Sequence, residues 1–251
     1  MMSTQAVEQA VSDWEQWRES RVAAVSAPHG PLALAGTYWL DDVVDGVIPG
    51  LAGRWRQEGG AVVRDLDGAT TALQPEGSPL LLPDGRKLLA IDREGLLAVR
   101  LWDPETPART AFAGIDAFAW DARWVVPGVF TPFAAARSVQ VPNADGRERG
   151  LGLAGELAFT VDGVAHTLAV AVQDDGRLWA VLADATSGRT TFRFRFLYAE
   201  VPAADGTVTV DLNRTQLPPC AFSDAFICPF PPPGNTLPFA LEAGERALLT
   251  G

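Results

Sequence analysis

Cysteine, histidine and methionine are all scarce in this chain, with two of each in 251 residues. Two cysteines exclude a disulfide scaffold, and a reducing cytosol keeps such residues as thiols. Two imidazoles, His29 and His166, are too few to build a zinc site around. His166 shares a strand face with Val164, Leu168 and Val170, which predicts a core histidine rather than a ligand, so no metal is expected. Basic charge is short as well: 20 Lys and Arg stand against 31 Asp and Glu, for a net charge of −11. Without a basic patch there is nothing to neutralise phosphate backbones or anionic headgroups, so nucleic acid and membrane surfaces are excluded as partners. No apolar run reaches the length of a membrane span. The first thirty residues lack a basic stretch followed by an apolar one, and the expected compartment is the cytoplasm. Also missing are a phosphate-cradling glycine loop before a helix, a Gly-x-Ser-x-Gly elbow and a His-Glu-x-x-His pair, which removes the common enzyme classes.

What is present is hydrophobic residues, 47% of the chain, in two patterns. Val7, Ala10, Val11, Trp14, Arg18, Val22 and Val25 recur at helical spacing before Pro28 and Gly30, predicting one amphipathic helix over residues 5–26. After it, Asp-Gly pairs at 45–46, 67–68, 84–85, 145–146, 162–163, 175–176 and 205–206 supply the positive φ angles of tight hairpin turns. Between them lie short apolar segments: Leu96 to Trp102, Leu153 to Val161, Val164 to Val172 and Leu178 to Leu182. The last is apolar on both faces, as a central strand is. The expectation is a mainly β fold, an antiparallel barrel-like sheet, closed or partly closed. An N-terminal helix (residues 1–28) would pack on a single β-rich domain (residues 29–251), with Pro218 to Pro238 as an ordered, proline-stiffened loop.

The last third of the chain carries a series of short motifs in order. They are Asp184-Ala-Thr-Ser-Gly188, Val210-Asp-Leu-Asn213, Pro218-Pro-Cys220, Cys228-Pro-Phe-Pro-Pro-Pro233, Asn235 and Leu241-Glu-Ala-Gly-Glu245. The series resembles an uncharacterised bacterial family known as domain of unknown function 1684. Weaker matches upstream (Gly30-Pro-Leu, Tyr38-Trp-Leu40, Val99-Arg-Leu-Trp-Asp103, Phe112 to Ile115, Trp124) extend the resemblance over nearly the whole chain. It implies a β-barrel with a relation to flavin-binding split barrels, and no agreed activity. Two departures stand out. Phe192-Arg193-Phe194 precedes Arg195 where the family has Tyr and a Gly-rich turn, and Thr215, Gln216 and Leu217 replace the aromatic and amide residues that usually follow the Asn.

Candidate site residues come from these motifs. Thr191 to Tyr198 alternates phenylalanines with Arg193 and Arg195. A half-exposed strand with solvated arginines accounts for that, but a guanidinium also grips a carboxylate or phosphate bidentately, and the motif position favours this role for Arg195. Thr209, Asp211 and Asn213 form the polar face of a strand that an Asp205-Gly206 hairpin would place beside Arg195, so Asp211 is its expected partner or a base. Asp184 heads a turn able to meet an anion, and Glu242 with Glu245 flanks Ala-Gly near the end. Cys220 and Cys228 fit a disulfide staple, two structural thiols or a nucleophilic pair. Three functions are compatible with this set. The first is a barrel whose pocket, lined by Arg195, Asp211, Asn213, Glu242 and Asp184, takes a small anionic metabolite. The second is a non-catalytic structural or interaction domain, and the third is a flavin-binding oxidoreductase.

Overall fold

The computed structural model describes residues 4–251. Its chain divides into two compact units, one of Ala113–Gly251 with the chain up to Val22, the other of Ala23–Phe112.

The single long helix α1 is Thr4–Ser26, within two residues of the prediction at its start and ending where it should. Its residues that escape full exposure, from Val7 through Trp14, Arg18 and Arg21 to Val25, keep the three-or-four spacing of one helix face. Trp14, Arg18 and Arg21 form the working part of that stripe. They donate to the Asn213 carbonyl at 3.1 Å, the Ile115 carbonyl at 2.9 Å and the Glu245 carboxylate at 2.8 Å. No helix among the described residues is long and apolar enough to cross a membrane.

In the unit Ala23–Phe112, strands β1 (Leu34–Trp39), β5 (Leu80–Leu81), β6 (Lys87–Arg93) and β7 (Leu96–Trp102) form a sheet in the order β1-β7-β6-β5. Strands β2 (Arg54–Glu58), β3 (Ala61–Leu66) and β4 (Ala69–Leu73) form a three-stranded meander. Ile48, Trp55, Val62, Leu88 and Val99 are the centre of its core.

The other unit carries β8 (Phe112–Ala117), β9 (Val125–Pro142), β10 (Glu148–Val161), β11 (Val164–Val172), β12 (Leu178–Leu182), β13 (Arg195–Ala199), β14 (Thr207–Asp211) and β15 (Glu245–Thr250). Six of these make a curled antiparallel half-barrel in the order β13-β12-β11-β10-β9-β14, and β15 pairs with β8. Strand β10 alternates buried and exposed residues almost without interruption, the signature of one wet face. The concave side closes over Leu157, Leu168, Val170, Leu182, Val210 and Leu241.

The glycines of all seven Asp-Gly pairs have positive φ. At Asp67-Gly68 and Asp162-Gly163 both residues do, and the flanking strands pair across a two-residue loop. The inference drawn from Asp205-Gly206 needs correction, however. That turn leads into β14, but β14 pairs with β9 (Asp211 opposite Val125), not with β13. Strands β13 and β14 are the two ends of the sheet order, so Arg195 and Asp211 are not ladder neighbours.

Candidate functional site

The strand over Thr191 to Tyr198 is shorter than its alternation suggested, beginning only at Arg195. Arg195, Leu197 and Ala199 share a face by the two-residue period of a strand, and that face is the core side: Arg195 is 0% exposed. A guanidinium in such a place must spend its donors internally or carry a heavy desolvation cost. One terminal nitrogen donates to the Ala243 carbonyl (2.5 Å) and the Glu245 carbonyl (3.2 Å). The other donates to Asp184 Oδ2 and the Leu241 carbonyl, both at 2.9 Å. The segment 241–245 passes beside it, bent at Gly244, and offers the carbonyls of Leu241, Ala243 and Glu245 to the same cation.

Asp184 is as enclosed as its partner, with a side chain 0% exposed. Its Oδ1 accepts from the Thr186 amide (2.8 Å), the Thr186 hydroxyl (2.6 Å) and the Leu241 amide (3.1 Å). The Thr186 hydroxyl also meets that of Thr191 at 2.9 Å, so the turn predicted to present itself to an anion instead wraps its own aspartate. Burial pushes the Asp184 carboxyl up, but the Arg195 guanidinium and the bonds from Thr186 outweigh it and hold the group below the ordinary carboxylate range. Burial likewise lowers Arg195 from its usual value, yet a guanidinium starts so high that it stays cationic.

Asp211 and Asn213 do meet, though away from Arg195. Asp211 Oδ1 accepts from the backbone and side-chain amides of Asn213 (both 3.0 Å), and its Oδ2 takes Arg214 Nε at 3.2 Å. Asn213 bonds both backbone groups of Asp121 with its amide, acting as a short substitute strand. Glu242 is exposed, and the carboxylate that matters in its motif is Glu245. Its side chain is 2% exposed, holds Arg21 through both oxygens (2.8 and 3.0 Å) and accepts the Leu217 amide at 2.7 Å.

The residue most easily overlooked is Asn235. Strands β11 and β12 pair only at Ala171–Trp179 and Val172–Leu178 before they diverge. Asn235 occupies the opening. Its Oδ1 accepts from the Ala169 amide (2.8 Å) while its Nδ2 donates to the carbonyls of Ala169 and Val181 (both 2.9 Å). An amide side chain has the donor and acceptor count of a peptide group, which is why Asn fits where a third strand is missing. Its place beside Cys228-Pro-Phe-Pro-Pro-Pro233 was the one signal of it in the sequence.

The Pro-rich loop is ordered into this framework. Pro219–Ala221 forms one 3₁₀ turn, and Cys220, Phe222, Cys228 and Leu237 are buried. Cys220 and Cys228 are thiols, with the Cys220 amide donating to Cys228 Sγ at 3.3 Å. His166 lies half-buried between Phe239 (ring centroids 4.7 Å) and Phe159 (6.0 Å). No cluster of three or more metal-ligating side chains occurs among the described residues. A cleft of about 750 Å³ runs over β9, β10 and β14, where Pro127, Val129, Phe159 and Val201 line it and Glu200 brings the charge. A smaller one of about 250 Å³, beside α1, holds Asp13, Glu200, Asp211 and Arg214. Arg195 lines neither.

Comparison with known proteins covers the segment that holds these residues. A family model described as "Protein of unknown function (DUF1684)" matches residues 110–246. The chain belongs to that family. The DUF1684 match takes in every motif of the last third, while the upstream segments before residue 110 lie outside it. The solution NMR structure of an uncharacterized protein of Haloarcula marismortui is similar at 31% identity, over 54% of this chain and 77% of that one, with a TM-score of 0.45. Among curated proteins none matches.

Proposed function

We propose that this DUF1684 chain is a non-catalytic structural or interaction domain, whose motif residues fasten the C-terminal segment and the Pro-rich loop onto the half-barrel. The observation that carries this reading is the enclosure of Arg195. Its terminal nitrogens are committed to Asp184 and to three carbonyls, so no fork remains to meet a ligand. Asp184, Asn213, Asn235 and Glu245 serve the same end, each satisfying backbone groups that the sheet leaves open. Charge argues in the same direction at the smaller cleft. Asp13, Glu200 and Asp211 outnumber Arg214 there, and their summed field repels an anionic metabolite or the phosphate of a flavin nucleotide.

The test is a pair of thermal melts on Arg195→Lys, with and without added phosphate, carboxylates and flavin mononucleotide. Lysine keeps the charge and loses the planar fork. A structural role lowers the melting temperature and leaves no anion or flavin stabilisation in either protein. Stabilisation of the unmodified chain that disappears in the variant establishes the pocket reading instead.

A further inference from the structure

The scaffold accounts for Asp184, Arg195, Asn235 and Glu245 but makes no use of the two thiols. Cys220 is set in the 3₁₀ turn Pro219–Ala221, and the Cys228 carbonyl is tied to the Ala144 amide at 2.9 Å, so both ends of the intervening loop are anchored. The Cys220 amide points at Cys228 Sγ from 3.3 Å, which brings the second sulfur onto the backbone of the first. Closure of a bond between them then requires side-chain rotation, not travel of the chain. Around the pair stand Phe194 and Phe196 with Phe226 and Phe230, an apolar wall on most sides. Arg193 is the exception. It is exposed, and its guanidinium stacks on Phe230 at 4.6 Å and on Phe192 and Phe194 at 5.5 Å, rings that belong to the same cluster as the two cysteines. Three rings hold that cation beside the cysteine cluster.

We propose that Cys220 and Cys228 are a reversible dithiol–disulfide site, with Cys220 as the attacking thiol, Arg193 as the cation that stabilises its thiolate and hydrogen peroxide as the oxidant. The oxidant must be small, since both cysteines are buried. In the first step the Cys220 thiolate attacks one peroxide oxygen. The S–O bond forms, the O–O bond breaks, and the departing hydroxide takes a proton to leave as water. In the second step the Cys228 sulfur attacks the Cys220 sulfenic acid. The S–S bond forms, the S–O bond breaks, and the hydroxide leaves with the Cys228 proton as a second water. Two thiols and one peroxide become one disulfide and two waters, and a dithiol reductant reverses the change. Hydrogen bonding with Cys228 lowers the Cys220 thiol from its ordinary value against the opposing effect of burial, and Arg193 adds to the lowering.

The experiment uses the full chain, treated with hydrogen peroxide, quenched, denatured in N-ethylmaleimide and weighed by mass spectrometry. The expected result is loss of both maleimide adducts together with loss of two hydrogens, a cross-linked peptide joining Cys220 to Cys228, and recovery of both adducts after dithiothreitol. Arg193→Gln is expected to slow the oxidation by about tenfold, one pKa unit of lost thiolate, with the melting temperature unchanged. A purely structural arginine would not alter that rate. Cys228→Ser should stop at a Cys220 sulfenic acid that dimedone traps. Both thiols still alkylated after peroxide, or oxidation confined to links between separate chains, overturns the site. An unchanged rate in Arg193→Gln overturns the role given to the arginine. None of these readouts depends on Arg195, so the inference stands or falls separately from the scaffold reading.

Discussion

At the scale of single residues, the buried Arg195–Asp184 pair is the feature with the largest energetic stake. Removal of either partner strands the other charge in the core, so Asp184→Asn and Arg195→Met are each expected to cost about 3–5 kcal/mol in urea unfolding. Their combination with an apolar residue at both positions should cost less than the sum, because the desolvation penalty disappears with the charges. The pH dependence has a definite sign. The Asp184 carboxyl is held below its unfolded value of about 3.9, so its contribution is complete above that pH and drains away as acid carries the solution down through the folded value. Asp184→Asn should therefore flatten the acid limb of the stability curve. The burial of Arg195 was legible in part, since Leu197 and Ala199 on its own face mark a core side. Its partner was not legible, because Asp184 sits in a turn eleven residues upstream, and alternation says nothing about which turn folds back. A stricter constraint lies at Gly244, where φ is +76° and a Cβ would stand 2.2 Å from the Thr215 carbonyl oxygen. Backbone cannot yield there as a side-chain tip can, so Gly244→Ala should cost about 3 kcal/mol or more, whereas Gly146→Ala, with open space around it, should cost about 1 kcal/mol.

At the scale of elements, the divergence of β11 from β12 is repaired by the Asn235 side chain rather than by a strand. Asn235→Ala leaves three backbone groups, the Ala169 amide and the carbonyls of Ala169 and Val181, without that partner, and a loss of about 2–4 kcal/mol is expected. Hydrogen exchange locates the effect: the Ala169 amide should lose protection before the amides of β10 do. The predicted strands 96–102, 164–172 and 178–182 coincide with β7, β11 and β12, because two-residue alternation and Asp-Gly turns are local signals. Sheet order is not local. The Asp205-Gly206 turn marked a reversal correctly, yet which strand β14 would then join depended on the eighteen-residue length of β9, long enough to serve β10 along one edge and β14 along part of the other.

At the scale of the whole molecule, the dominant property is charge. With a pI near 4.6, acidification should bring the protein to zero net charge while Asp184 is still ionised. Light scattering and circular dichroism followed together from pH 7 to 3 should show association first, with strand signal retained, and unfolding only at lower pH. Scattering that rises only after the strand signal is lost would contradict this order. The excess of acidic over basic residues suffices for that expectation, because net charge depends on composition and not on fold. The mainly β class was equally legible, since hairpin turns and alternation recur along most of the chain. The division into a unit of Ala23–Phe112 and one that joins the chain start to Ala113–Gly251 was not, since no proline- or glycine-rich linker marks it.

The dependence of Arg195 on carbonyls at 241, 243 and 245 also bears on how the protein is made. A ribosome delivers β9 through β14, and Asp184 with them, before it delivers the three carbonyls that take the other hydrogens of that guanidinium, and Leu237, Leu241 and Ala243 of the core arrive equally late. During synthesis the half-barrel therefore carries on its inner face a cation paired with Asp184 alone, its remaining donors unmet. Closure of the core thus waits on residues 237–245, which follow every strand of the half-barrel in the chain.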